Sequence, residues 1–298
     1  MPVQPPRRLV MPAASLFDRM ARNALSVTYS RREIDDLERG HPELVVERDG
    51  AILGALDHGV AVLPYSFDTT RHFSDHFDVM FEELLPRIRT ALPVTKVRFR
   101  LTHAPSRNAV QATLKRLGFR PLRTWLQFSL AKADAPKPAT PRGVKFRDGG
   151  LEDIDDIARI DHAAFPNTPM PKEAIARQIE RHGMRVLLAE QRGRAVGLAL
   201  WTHDDREWGY LNTLAVDETA RAQGIGGALT LRVARRVFAD GASRLDLRTE
   251  EDNAGAIRLY RSLGFRHTLT GVDFERPLEL KPAPAEKPGI YIKFGRWR

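Results

Sequence analysis

The most constraining feature of this 298-residue chain is a strand, a glycine-rich loop and a helix that follow one another directly. Tyr210–Val216 is apolar enough for a buried strand, and the loop at residues 221–227 follows it. Apolar residues at 225, 229, 233 and 237 share one helical face because they are four residues apart. Glycines here allow a tight turn, so that backbone N–H groups and the positive end of the helix dipole converge on one anion. The sequence therefore predicts a phosphate-binding loop.

The loop differs from two common phosphate-binding patterns. The dinucleotide fingerprint needs three spaced glycines and an acid about 20 residues further on, and the P-loop needs Gly-Lys before Ser or Thr. The residues around Gly224 provide neither pattern. A second strand at residues 244–248 and a second helix complete the stretch. That helix begins near Asn253 and ends at Gly264, a typical helix stop.

This stretch resembles the acetyl-CoA site of the GNAT superfamily of N-acetyltransferases, whose loop pattern is Gln/Arg-x-x-Gly-x-Gly/Ala. Arg221, Gly224 and Gly226 match the pattern. The resemblance implies that the cofactor pyrophosphate is held by Arg221, Ala222, Gln223, Gly224, Ile225, Gly226 and Gly227. It also implies that the pantetheine arm pairs with the backbone of Leu214, Ala215 and Val216. Asn253 matches a residue that hydrogen bonds the same arm, and it can also serve as a helix N-cap.

Acetyl transfer from a thioester to an amine requires two proton movements: the ammonium loses a proton and the departing thiolate gains one. Tyr260 matches the family tyrosine that protonates the thiolate, and a phenol with a pKa near 10 is neutral and able to donate. Its helical spacing from Ile257 and Leu263 also fits a core aromatic. Glu250 is our hypothesis for the base because it follows a strand end that should open on the cleft. The alternatives are Glu251, Asp252, His203, Asp205, Glu207, or a water held by Tyr210 and Asn212.

A second organising feature is an internal repeat. Strand–turn–strand patterns at Gly50 and Gly193 are offset by 143 residues, and helix-ending Gly-Phe pairs at 118 and 264 by 146. Two ordered matches at nearly equal offset predict two tandem copies of one α/β fold. We expect each copy to be a GNAT-like domain with a mixed, mostly antiparallel central sheet flanked by helices. The Pro-rich residues 132–142 are typical of a stiff linker, which predicts domains at 1–131 and 143–298.

The two copies differ where the phosphate loop should be. Between a strand at 59–64 and a helix at 77–88 the first copy has no glycine, and Leu114 stands where the second copy has Tyr260. We therefore expect the first copy to be degenerate, to bind no acetyl-CoA in the family's manner and to pack against the second copy. The alternating residues 289–297 predict a last strand, which we expect to pair with the stretch after Phe265.

Composition narrows the possible functions. The formal net charge of +9 is scattered along the chain, which fits a polyanionic co-substrate and does not favour nucleic-acid binding. The chain has no cysteine, and its histidines lack paired-ligand spacing, so no metal site is expected. There is no apolar run of membrane-spanning length, which predicts a cytoplasmic protein without membrane association.

The combined prediction is an N-acetyltransferase in which a primary amine attacks acetyl-CoA directly in a ternary complex. Its partners are then acetyl-CoA and a small-molecule or protein amine, and the chain is a monomer or homodimer. The alternative is a non-catalytic CoA-binding regulatory or scaffolding protein, against which the presence of Tyr260 argues.

Overall fold

A computed structural model describes residues 14–27, 31–102, 107–166, 169–203 and 208–278. The predicted last strand at 289–297 and the candidate bases Asp205 and Glu207 lie outside these ranges.

The described part of the first copy contains four helices and eight strands. Its helices are Leu16–Met20 (α1), Arg31–Gly40 (α2), Thr70–Ala91 (α3) and Asn108–Arg116 (α4). Its strands are Leu25–Val27 (β1), Val45–Arg48 (β2), Ala51–Gly54 (β3), Leu56–Asp57 (β4), Ala61–Val62 (β5), Tyr65–Phe67 (β6), Lys96–Thr102 (β7) and Arg120–Ala131 (β8).

The described part of the second copy contains four helices and six strands. Its helices are Ile154–Ala164 (α5), Lys172–His182 (α6), Ile225–Ala239 (α7) and Ala254–Ser262 (α8). Its strands are Val144–Gly149 (β9), Arg185–Gln191 (β10), Arg194–Thr202 (β11), Trp208–Val216 (β12), Arg244–Glu250 (β13) and Arg266–Pro277 (β14).

The repeat is visible in the backbone of its turns. Asp49 and Gly50 have φ angles of 49° and 82°, and Arg192 and Gly193 have 52° and 78°. Two consecutive left-handed residues are the mark of a type I′ hairpin turn, so both copies join equivalent strands by the same turn.

One ten-stranded mixed sheet runs through both copies in the order β4-β5-β7-β14-β8-β13-β12-β11-β10-β9. Its neighbours are antiparallel except for the pairs β5–β7 and β12–β13. A smaller sheet, β1-β6-β3-β2, belongs to the first copy. The predicted mixed, mostly antiparallel architecture flanked by helices is confirmed.

The sequence predicts one sheet per copy, whereas the structure shows that the copies exchange strands. Strand β8 of the first copy lies between β13 and β14 of the second, and β14 lies between β7 and β8 of the first. Each exchanged strand thereby satisfies both of its backbone edges, which leaves neither edge as a site for unwanted pairing. The stretch after Phe265 already has a neighbour on each side over residues 271–275, where the predicted strand at 289–297 was expected to pair.

Helices cover both faces of the second copy's part of the sheet. Helices α7 and α8 pack with Leu245, Leu247 and the first copy's Phe128 in one core. Helices α5 and α6 pack on the opposite face around Leu188 and Leu200. The predicted linker is fastened along α7, because Arg232 donates to the carbonyl of Ala139 at 2.9 Å and to the Thr140 hydroxyl at 2.7 Å.

Candidate active site

The two central strands of the second copy diverge and leave a gap. In the described chain, pairing between β12 and β13 stops at Leu211 and Leu247. Beyond that point β12 follows β11 as far as Val216, while β13 follows β8 as far as Glu250. Asn212 is an extra residue in the register with β11, and such a bulge bends its strand. We call the space between residues 212–216 and 248–250 the strand gap.

The strand gap leaves the backbone edge of the predicted pantetheine residues without a second strand partner among the described residues. Leu214, Ala215 and Val216 are buried and pair with β11 on one side only. On the other side, their strand has no β13 partner among the described residues. An extended amide-containing chain could therefore pair with this edge as an added strand would.

The phosphate loop leads from this strand into α7. Ala222 and Gly224 have φ angles of 60° and 78°, and no side chain caps the helix at Gly224. Left-handed residues within such a loop turn successive N–H groups towards one side and form an anion-binding concavity. A left-handed alanine is sterically disfavoured, and strain of this kind is concentrated at functional sites. The loop therefore fits the pyrophosphate of CoA.

Contacts around the loop fix its position. The Arg221 Nε donates to the carbonyl of Val216 at 3.3 Å, and the Gln223 side-chain oxygen accepts from Gln191 at 2.8 Å. Ile225 is buried in the core. A Cβ on Gly227 would lie 3.4 Å from the Leu263 side chain, so this glycine allows α7 to approach α8 closely. The carbonyl of Gly226 accepts from the Thr230 hydroxyl at 2.8 Å.

Helix α8 presents the other two predicted residues. The Asn253 side chain accepts from the Ala256 N–H at 3.1 Å, so Asn253 is the N-cap of α8. Tyr260 is 5% exposed, and its ring centre lies 5.7 Å from that of Phe265 and 6.2 Å from that of Phe128. Tyr260 therefore packs in the core that borders the strand gap. Its acid role, like the contact of Asn253 with CoA, stays a prediction.

Glu250 ends β13 and is tied to the first copy. The Arg123 Nη1 donates to Glu250 at 3.0 Å, and its Nε donates to Asp273 at 3.3 Å. Asp273, which is fully buried, also accepts from Trp125 at 3.0 Å and from Arg100 at 2.9 Å. Burial opposes the charge of Asp273, but the guanidinium groups of Arg100 and Arg123 outweigh it and lower its pKa to about 2.

Sequence reasoning missed Arg123 and Trp125, which lie on the exchanged strand β8. They belong to no motif, and the only available signal was a strand-length segment between Phe119 and the linker. Their place beside Glu250 depends on long-range pairing, in which Trp125 lies opposite Glu250.

The alternative bases are spread out. Glu251 and Asp252 are exposed just beyond Glu250. His203 lies 3.9 Å from Asp240, at the end of α7 opposite the phosphate loop. Tyr210 lies on β12 before the gap, and burial raises its pKa despite the nearby charge of Arg248. Asn212 accepts from the Thr202 hydroxyl at 3.2 Å.

Within the described ranges, no group of three or more His, Asp or Glu side chains is placed to hold a metal ion. No helix in the same ranges is long and apolar enough to cross a bilayer.

Residues 151–265 match the model of the acetyltransferase (GNAT) family. The chain therefore carries a GNAT acetyltransferase domain in its second copy, which confirms the predicted family and the acyltransferase class. A mycothiol acetyltransferase from Mycolicibacterium vanbaalenii is 29% identical over 202 residues, which cover 63% of this chain and 67% of the relative. Another, from Segniliparus rotundus, is 30% identical over 174 residues, covering 53% and 65%. The alignments thus span about two thirds of the length of these relatives.

Solved structures share the fold across most of the chain. A GCN5-related N-acetyltransferase from Sphaerobacter thermophilus has a TM-score of 0.65 at 20% identity, covering 88% of this chain and 87% of that one. A tandem GNAT protein from the clavulanic acid biosynthesis pathway has a TM-score of 0.66 at 14% identity, covering 89% and 94%. These similarities confirm the predicted fold class.

Proposed function

We propose that the second copy transfers the acetyl group of acetyl-CoA to a primary amine. The observation that carries the proposal is the strand gap, which lies directly beside a strained phosphate loop at the start of α7. The loop can hold a pyrophosphate, and the gap can hold the extended arm that ends in the thioester. The loop and the gap lie on adjacent elements, so they suit the pyrophosphate and the extended arm of a single acetyl-CoA molecule.

The reaction we propose is direct attack within a ternary complex. The amine nitrogen forms a bond to the carbonyl carbon, the carbon–sulfur bond breaks, and no acyl-enzyme forms. A backbone N–H from Leu214–Val216 would stabilise the developing oxyanion, because that edge has no strand partner in the gap among the described residues. Tyr260, in the core that borders the gap, would give its proton to the leaving thiolate.

Glu250 remains our proposed base, with a constraint that the structure adds. It is 7% exposed and accepts a hydrogen bond from Arg123. The ammonium, or a water that relays its proton, must therefore compete with that guanidinium for the carboxylate. A relay through the exposed Glu251 is compatible with the same geometry.

The test is release of CoA thiol by the full-length chain from acetyl-CoA with a panel of amines, together with mass spectrometry of the products. The panel should include the unacetylated form of mycothiol, because the curated relatives are named for mycothiol acetylation. We expect thiol release that depends on one class of amine, with a mass gain of one acetyl group on that amine. Tight acetyl-CoA binding without turnover across the panel would instead support the non-catalytic, CoA-binding regulatory alternative.

A further inference from the structure

Thr249 carries a buried hydroxyl for which the described residues provide no hydrogen-bond partner. Its residue is 1% exposed, and the hydroxyl oxygen makes no hydrogen bond with any described residue. It is the only Ser, Thr or Tyr hydroxyl in this condition within the described ranges. Burying a hydroxyl without a hydrogen bond destabilises a fold. A valine has nearly the same shape and would avoid this cost, so the threonine needs another explanation.

The position of Thr249 supplies that explanation. It lies on β13 two residues beyond Leu247, the last residue that pairs with β12, and therefore on the wall of the strand gap. Successive side chains alternate between the faces of a sheet, so Thr249 shares the face of Leu245 and Leu247. Those two leucines pack in the same core as Tyr260.

We infer that the Thr249 hydroxyl is a positioning group that hydrogen bonds the acyl-CoA arm in the strand gap. The inference rests on the proposed function. A hydroxyl can donate to the thioester carbonyl oxygen or accept from the nearest pantetheine amide N–H, and either bond gives the buried oxygen its missing partner. In the unbound protein the unpaired hydroxyl lowers the free energy of unfolding. Binding of the arm would remove this destabilisation.

The experiment compares two substitutions in the full chain, Thr249→Val and Thr249→Ser. Thr249→Val keeps the shape and removes the hydroxyl, whereas Thr249→Ser keeps the hydroxyl and removes a methyl group. Calorimetry gives the Kd for acetyl-CoA, and thermal unfolding gives the Tm of each ligand-free protein. Thr113→Val, at a buried threonine of the first copy, is the matched control and should leave the Kd unchanged.

The two substitutions should have opposite effects on stability, and only one of them should weaken acetyl-CoA binding. For Thr249→Val we expect the ligand-free Tm to rise by about 2–4 °C, and acetyl-CoA to bind about 3–10-fold more weakly. For Thr249→Ser we expect a lower Tm with wild-type affinity. Comparison with free CoA separates the two bonds: an equal loss for both ligands identifies the amide, and a loss confined to acetyl-CoA identifies the thioester carbonyl.

Two results would overturn the inference while leaving acetyl transfer intact: wild-type affinity in Thr249→Val, or an equal loss of affinity in both variants. Failure of the wild-type chain to bind acetyl-CoA at all would overturn the proposed function together with it. The Tm measurements show in every case whether the variants are folded.

Discussion

Central strands diverge in both copies, but among the described residues the first copy fills the divergence with its own side chains and the second leaves a strand edge unpaired there. In the first copy, β5 pairs with β7, and the chain then continues as β6, which pairs with β3 and β1 in the other sheet. The Tyr65 side chain extends into the resulting space, and its hydroxyl donates to the carbonyl of Arg100 at 3.0 Å. Its ring stacks on Phe99 with 4.4 Å between ring centres. The counterpart of the strand gap is thus filled by the chain's own aromatic residues.

The helix starts show the same contrast. Helix α3 of the first copy is capped by Thr69, whose hydroxyl accepts from the His72 N–H at 3.0 Å. The N-cap residue of helix α7 in the second copy is Gly224, which has no side chain to offer. One copy therefore satisfies its helix start internally, and we expect the other to keep its N–H groups for an anion. We infer that a few side chains decide whether a copy of this fold is a purely structural domain or a binding domain. We therefore expect each chain to bind one CoA.

The largest effect is expected for Gly224→Val, which should abolish acetyl-CoA binding. Gly224 has a φ of 78°, which a β-branched residue avoids, and a Cβ would crowd the bound pyrophosphate. Calorimetry should give one site per wild-type chain and none in the variant. Gly50→Val is the control, since Gly50 has a φ of 82° and lies in a first-copy turn. Two equivalent sites in the wild type would contradict the contrast between the copies.

Tyr260→Phe should lower turnover by about 10²–10⁴-fold and leave acetyl-CoA affinity nearly unchanged, because the ring still packs while the general acid is lost. Steady-state kinetics with an identified amine would measure this, and a donor with a more acidic thiol should reduce the loss. The first-copy control is Tyr65→Phe, which removes a buried hydrogen bond worth about 1 kcal/mol of stability and should not change turnover. Wild-type turnover in Tyr260→Phe would leave Tyr260 as a core residue only.

The junction between the copies should show a specific acid dependence. The folded pKa of Asp273 is about 2, below its usual value of 3.8, so its ionised form stabilises the fold. The ionised carboxylate contributes about 2 kcal/mol to the free energy of unfolding above pH 4, and this contribution is lost as the pH falls towards 2. Urea unfolding between pH 5 and 2 would measure it. Asp273→Asn should lack this component, and an unchanged pH dependence in that variant would remove Asp273 as its source.

The smallest effect is expected for Thr69→Ala. Loss of the helix cap should lower the free energy of unfolding by about 1 kcal/mol. It should create no second acetyl-CoA site, because Tyr65 and Phe99 still fill the first copy's gap. Denaturant unfolding and calorimetry would test both parts. A second binding event in Thr69→Ala would mean that the cap alone, rather than the aromatic filling, separates the copies.

Local features of the site could be predicted from the sequence because adjacent residues determine them. Helix α7 begins at Ile225, Asn253 caps α8, and Gly264 follows its end with a φ of 90°. The first copy was harder to predict. Strand Tyr65–Phe67 has only 3 residues, which is too short for an alternating pattern to mark it, and α3 begins at Thr70 instead of near residue 77.

The strand exchange could not be predicted, because its partners are far apart in the chain. Arg100 and Asp273 are separated by 173 residues, and β8 finds both of its neighbours in the other copy. A pattern of apolar residues indicates that a strand exists but does not identify its partners. The contact between Arg123 and Glu250, which changes how the proposed base can work, follows only from that pairing.

The exchange of β8 and β14 also changes what the linker does. The two copies are joined by interleaved backbone ladders, so the covalent segment at residues 132–142 is not the main connection between them. A single cut there would give two fragments, each with a bare sheet edge that only the other completes. Each half thus contributes a strand that completes the sheet of the other, as the subunits of a strand-exchanged dimer do.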